Sequence, residues 1–285
     1  MTEISTVLFD LDGTLYEDPA VYDRYAQELG SFLRSDARQR YLDQWERART
    51  GRDAARVGMG YDAERDLLFR YAGGHIVSLI DWQGLETPVQ SATKEDPERP
   101  VGPPVEVPIF GHNRRNIGDL WAMADVLAMH HGVPRENRSA AFMATRAFMA
   151  TDAFHLRLRP GMQPCLSALL SGGLTLAAMS NSPVESVHDV FDELGIREYF
   201  AMIVGDSGKP VGLTDWLSGV SEPETVLSVG DNYINDVEPA LKAGAQALYI
   251  DRHGTGLGSE YEGCFFVSSI DGAIAWLGNL VRVPL

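Results

Sequence analysis

Two carboxylates two residues apart open the chain's chemistry. In VLFDLDGTLY, Asp10 and Asp12 follow a short apolar run directly. Placed just beyond a β-strand, such a pair can lie on one side of the chain and share a cation. Gly13 permits a tight turn and close approach of the backbone to a ligand, and Thr14 adds a hydroxyl. A turn with solvated aspartates would look similar in isolation. From average residue usage, however, a DxDGT string arises by chance in about one chain in a few hundred. Its position straight after the first strand lowers the odds of chance further.

Three later segments share that position after an apolar run. LTLAAMSNSP ends in Ser180 and Asn181, whose hydroxyl and backbone N–H groups can bind phosphoryl oxygens at the start of the following helix. Ser182 or Asn181 can equally cap that helix. VGDSGKPVG holds Lys209 in a Gly-rich loop, where its ammonium can neutralise a carboxylate and a phosphate together. A lone lysine is more commonly a surface residue. TVLSVGDNYINDVEPALKAG places Asp231 directly after a strand and Asp236 at a helix start. Asn235 or Asp236 can serve as a helix cap, whereas Asp231 has less structural reason to be there. Carboxylate and carbonyl oxygens with water form the set that octahedral magnesium prefers.

The elements that must position these residues read as an alternation of strands and helices. ISTVLF (4–9) reads as the first strand. From Gln163 onward the sequence predicts helix PCLSALLSG, strand LTLAAM (174–179), helix SPVESVHDVFDEL (182–194), strand FAMIVG (200–205) and a short helix near 212–219. Strand TVLSVG (225–230), helix NDVEPALKAG (235–244), strands QALYID (246–251) and FFVSS (265–269), and helix DGAIAWLGNL (271–280) complete it. This order predicts an α/β fold, a doubly wound, Rossmann-like parallel sheet whose ligands bind beyond the carboxyl ends of the strands.

Residues 16–158 break the alternation and read as a mainly helical cap domain inserted after the first strand, with residues 1–15 and 159–285 as the core. Residues 20–48 predict one long helix or a helical pair; 116–131 and 134–150 predict two more. Between them, 72–115 contains five prolines from Pro97 to Pro108 and possible strands HIVSLIDW and VEVPIF. The basic cluster Arg114–Arg115, beside His112 and Asn113, is either a site for an anionic or polar leaving group or a solvated loop.

The 285 residues carry 24 Lys plus Arg against 40 Asp plus Glu, a formal charge of −16. That balance argues against nucleic acid and anionic membranes as partners. The first residues lack the basic and apolar regions of a secretion signal, and no apolar stretch reaches spanning length. Two cysteines, Cys165 and Cys264, argue against a disulfide framework. A cytoplasmic protein is the expectation.

In order and spacing, the four segments resemble the sequence motifs of the haloacid dehalogenase (HAD) superfamily, over residues 4–16 and about 158–285. The resemblance implies a Mg2+-dependent phosphatase of the capped branch, acting on a small phosphorylated metabolite. It assigns Asp10 as nucleophile and Asp12 as general acid/base, with Lys209 orienting Asp10. Ser180 would bind the transferring phosphoryl group, with Gly13, Thr14 and Asn181 around it. Magnesium would sit between Asp10, the backbone carbonyl of Asp12, and Asp231, with Asp236 as a ligand or outer partner. Dehalogenating members lack an acid at the position of Asp12, which favours phosphate chemistry here. A phosphomutase, a non-catalytic phosphate-binding relative and an aspartate-phosphorylated receiver are the rival readings.

Overall fold

The computed structural model describes residues 3–72, 75–88, 113–151 and 153–281. In chain order the strands are β1 (Thr6–Phe9), β2 (Met59–Asp62), β3 (Leu67–Ala72), β4 (His75–Ile80), β5 (Glu86–Pro88), β6 (Arg114–Ile117), β7 (Thr175–Met179), β8 (Met202–Val204), β9 (Val226–Gly230), β10 (Gln246–Ile250) and β11 (Cys264–Val267). The helices are α1 (Pro19–Ser31), α2 (Ser35–Arg49), α3 (Leu120–His130), α4 (Arg135–Met149), α5 (Met162–Ser171), α6 (Val184–Glu193), α7 (Val211–Ser218), α8 (Glu238–Lys242) and α9 (Ile270–Leu280). By internal contacts the chain divides into two compact units: Met1–Ala20 with Arg146–Leu285, and Val21–Thr145.

The first unit is built on a six-stranded sheet in the order β11-β10-β9-β1-β7-β8, every pair parallel. β1 lies between β7 and β9, so the chain first winds outward to β8 and then restarts on the other side. That reversal makes the switch point, and the carboxyl ends of β1 and β9 meet there. A strand with neighbours on both sides and helices on both faces needs apolar side chains throughout. Accordingly, Val7, Leu8 and Phe9 are buried, as are all five residues of β9. Phe9 packs edge-on against Phe200, and Phe200 against Phe191 of α6. Full burial of a side chain of this size contributes roughly 1.5–3 kcal/mol.

The segment predicted as one helix over 235–244 is two pieces: a π-helical turn, Tyr233–Val237, and the short α8. Pro239 lies within α8, in its first turn, where a missing N–H costs nothing. The turn before it carries Asp236 inward.

The second unit has its own core, with Tyr41, Trp45, Leu68, Ile117 and Leu127 among its buried residues. The sequence over 20–48 forms a pair, α1 and α2, and the two later helices are α3 and α4. Asp119 caps α3 by accepting from Ala122 N–H at 2.7 Å. Beside the helices stands a five-stranded antiparallel sheet, β5-β4-β3-β2-β6, so the mainly helical expectation needs a sheet added to it. β4 coincides with HIVSLIDW; VEVPIF, the prolines from Pro97 to Pro108 and His112 lie outside the described residues. Arg114 sits on β6, half-buried and 3.4 Å from the Asp62 carboxylate, and Asn113 accepts from Ala63 N–H. Arg114 therefore takes part in the internal pairing of this unit and stands on a strand, where a solvated loop was one of the two expectations.

Candidate active site

The loop after β1 is held at both ends. Asp10 N–H donates to Val229 O of β9 at 2.8 Å, and Gly13 N–H donates to Tyr16 O at 2.9 Å. Gly13 has φ +81°, and a Cβ there would stand 2.2 Å from Asp231 Oδ2. Only glycine fits both the conformation and the approach. Gly230 meets the same demand: a Cβ there would lie 2.4 Å from that of Asp236. These two glycines let the carboxylates of the first and fourth motifs converge.

Asp10, Asp231 and Asp236 each offer an oxygen within 4.8 Å of the others. Three hard oxygen donors at this spacing suit a magnesium ion. Lys209 enters the same cluster, buried, with Nζ 2.7 Å from Asp10 Oδ1, 2.6 Å from Asp236 Oδ1 and 2.8 Å from Met179 O. All three ammonium protons are thereby used. Burial, the largest influence, and the Asp236 and Asp12 carboxylates push Asp10 up to about 7 against the pull of Lys209. Burial also opposes the charge on Lys209, but Asp10 and Asp236 outweigh it and hold the ammonium well above the ordinary lysine range. The lysine stays charged, and an added cation would drive Asp10 back to the carboxylate.

The loop bearing Lys209 is braced by Asn181. Its Oδ1 accepts from Lys209 N–H at 2.6 Å and from Ser207 Oγ at 2.9 Å, and its Nδ2 donates to Lys209 O at 3.1 Å. The side-chain amide of Asn181 is thus engaged by the lysine loop. Ser180 is buried at the end of β7, its Oγ accepting from Ser182 N–H. The Thr14 hydroxyl lies 3.4 Å from Asp10 Oδ2.

Asp12 is turned away from the metal-type cluster. Its Oδ1 accepts from Arg146 Nη1 at 3.0 Å and from the Tyr16 hydroxyl. Its Oδ2 accepts from Arg146 Nη2 at 2.7 Å and Ser182 Oγ at 3.3 Å. A second arginine, Arg252, follows β10. Its Nη1 donates to Asp231 Oδ2 at 2.9 Å, Nη2 donates to Gly13 O, and Nε lies 3.2 Å from Glu17 Oε1. The sequence reading missed Arg146, Arg252 and Tyr16. Arg252 follows a strand as the motif residues do, a signal that could have found it; Arg146 offers none.

Comparison with known proteins settles the family. The haloacid dehalogenase-like hydrolase profile matches residues 4–244. The chain belongs to the haloacid dehalogenase-like hydrolases. Phosphoglycolate phosphatase 1 of Pseudomonas aeruginosa is 30% identical over 142 residues, 46% of this chain and 52% of that protein. Phosphoglycolate phosphatase of Vibrio vulnificus is 35% identical over 99 residues, 32% of this chain and 42% of that protein. The chain thus spans about half the length of the curated relatives it matches. Among solved structures, the HAD hydrolase YfnB of Bacillus subtilis, bound to magnesium, superposes with a TM-score of 0.51 at 14% identity. The match covers 97% of this chain and 99% of that one, and it speaks for the fold. Among the described residues, no helix is long and apolar enough to cross a membrane.

Proposed function

We propose that this hydrolase is a phosphatase that transfers the phosphoryl group of a small monoester to Asp10 and then to water. The observation that carries this reading is the company Asp10 keeps. Its carboxylate lies between a buried ammonium and two further carboxylates, with an acid, Asp12, two residues away. Asp10, Asp231 and Asp236 would hold a magnesium ion, which when bound would offset carboxylate–phosphate repulsion and polarise the phosphoryl oxygens.

In the first step an Asp10 oxygen attacks phosphorus, and the bond to the leaving oxygen breaks with its electron pair. Asp12 supplies the proton that makes the leaving group an alcohol. In the second, water attacks the aspartyl-phosphate, Asp12 takes its proton, and Asp10 and inorganic phosphate are regenerated. Lys209 holds Asp10 in place and stabilises charge on the transferring oxygens. Ser180, at the end of β7, would bind the transferring phosphoryl group.

The matched relatives are named phosphoglycolate phosphatases, which makes a small phosphorylated acid the substrate class to try first. The test is phosphate release over a panel of phosphorylated acids, sugar phosphates and nucleotides, with 31P NMR of the products. Free phosphate supports the reading. Transfer of the group to a second sugar hydroxyl would make the protein a mutase, and no turnover on any ester would overturn it.

A further inference from the structure

Arg146 sits near the end of α4, at the point where the chain returns to the first unit. An arginine on an amphipathic helix normally faces solvent, yet the side chain here is only 3% exposed. Burying a guanidinium costs several kcal/mol unless it is paired, so an apolar residue would fill this place more cheaply. Its partner is Asp12, 134 residues earlier, which it grips with both terminal nitrogens. It also donates to Ser182 Oγ and approaches the Tyr16 hydroxyl. So little exposed, the guanidinium is poorly placed to clamp incoming phosphate.

Building on the phosphatase reading above, we propose that Arg146 is a positioning residue for the proton transfers of Asp12. Four donors engage its two oxygens, which matches the number of lone-pair sites a carboxylate has. For Asp12 to give or take a proton, one contact must open. The Tyr16 and Ser182 hydroxyls can rotate from donor to acceptor, whereas a guanidinium cannot accept. Arg146 is therefore the fixed part of the arrangement, and the hydroxyls are the part that yields. A planar two-nitrogen fork also fixes the plane of the carboxyl group, which a lysine cannot do.

A residue that acts only through Asp12 has a distinctive signature. In the first step, Asp12 protonates the leaving oxygen while the phosphorus–oxygen bond breaks. An alkyl ester needs that proton; p-nitrophenyl phosphate, whose leaving group is a stable anion, does not. kcat/KM covers only the steps through leaving-group departure. The ratio of kcat/KM for an alkyl phosphate to that for p-nitrophenyl phosphate therefore isolates the acid, and it does not depend on how much of a sample is folded.

The ratio is measured for the parent, Asp12→Asn, Arg146→Ala and Arg146→Lys. General acid catalysis contributes roughly 10²–10⁴-fold, so Asp12→Asn should lower the ratio by about that much. Arg146→Ala and Arg146→Lys should each lower it at least about tenfold. Added guanidinium ion should raise the ratio again in Arg146→Ala and leave Asp12→Asn as it was. If both Arg146 variants keep the parental ratio while Asp12→Asn loses it, Arg146 is merely structural and the phosphatase reading stands. If Asp12→Asn also keeps the ratio, the acid assignment fails, and the role of Arg146 with it.

Discussion

Replacing Lys209 by Met tests the centre of the site through stability, independently of turnover. The lysine side chain is 4% exposed, and its partners Asp10 and Asp236 are 12% and 3% exposed. Methionine fills a similar volume but brings no charge, leaving two buried carboxylates facing each other. With their oxygens within 4.8 Å, Coulomb repulsion at an effective dielectric constant of about 20 amounts to about 3.5 kcal/mol. Removing one member of a buried ion pair typically costs about 3–5 kcal/mol, and the two figures agree. For a protein of this size each kcal/mol moves the melting point by roughly 2–4 °C, which predicts a drop of roughly 6–20 °C.

The assay is thermal unfolding at pH 8.5 with a chelator, and again with magnesium. A divalent cation can take over part of the lysine's role, so magnesium should raise the melting point of Lys209→Met more than that of the parent at equal concentration. A Lys209→Met protein that melts within about 2 °C of the parent would refute the account of the cluster. So would a magnesium-induced shift no larger than the parent's.

Three further outcomes follow from the same geometry. Asp10→Asn should abolish phosphate release while circular dichroism stays native, because an amide of the same shape is a far poorer nucleophile; normal release by a sample free of contaminating phosphatase would sink the mechanism. A chelator should stop turnover and magnesium should restore it, and full activity in metal-free buffer would remove Asp231 from its proposed role. In the second unit, burial, His130 and Arg40 press His131 down to about 4 from 6.5, so the ring is neutral in the fold and protonates on unfolding. Its contribution to stability is full above about pH 6.5 and is lost as pH falls toward 4; an NMR titration that finds His131 near 6.5 would contradict this.

What the sequence discloses is the part of the fold governed by local rules. An apolar run that stops at Asp10, Ser180 or Asp231 marks a strand buried on both sides and a loop that must do something else, and the parallel order follows from the helices between. The short strands of the second unit give weaker signals. β2 is only MGYD, and β6, RRNI, owes its place to pairing with β2. Arg146 shows nothing in its own neighbourhood, since RENRSAAFMATRAFM reads as an ordinary amphipathic helix. Its meaning depends on a carboxylate 134 residues away, which local patterns do not encode. The bracing of the Lys209 loop by the Asn181 side chain is invisible for a related reason: it depends on a loop 28 residues away.

The arginines also change how the chain's acidity should be understood. Five carboxylates, on Asp10, Asp12, Glu17, Asp231 and Asp236, meet three cations: Lys209, Arg146 and Arg252. The cations offset much of the site's acidity but leave carboxylates in excess. Each cation is already committed to a carboxylate, so an arriving phosphate would find little positive charge free to receive it. Recognition of a phosphate then needs either an additional cation or the release of an existing pair. The cluster of Asp10, Asp231 and Asp236 suits the first, and Arg252, which joins Asp231 to the Gly13 carbonyl, holds the two loops in register for it. In the proposed mechanism the grip of Arg146 on Asp12 belongs to the other part of the chemistry, the movement of protons. On that proposal the metal-type carboxylates and Asp12 have separate basic partners, which would let one protein hold a cation and move a proton within the same few residues of its first loop.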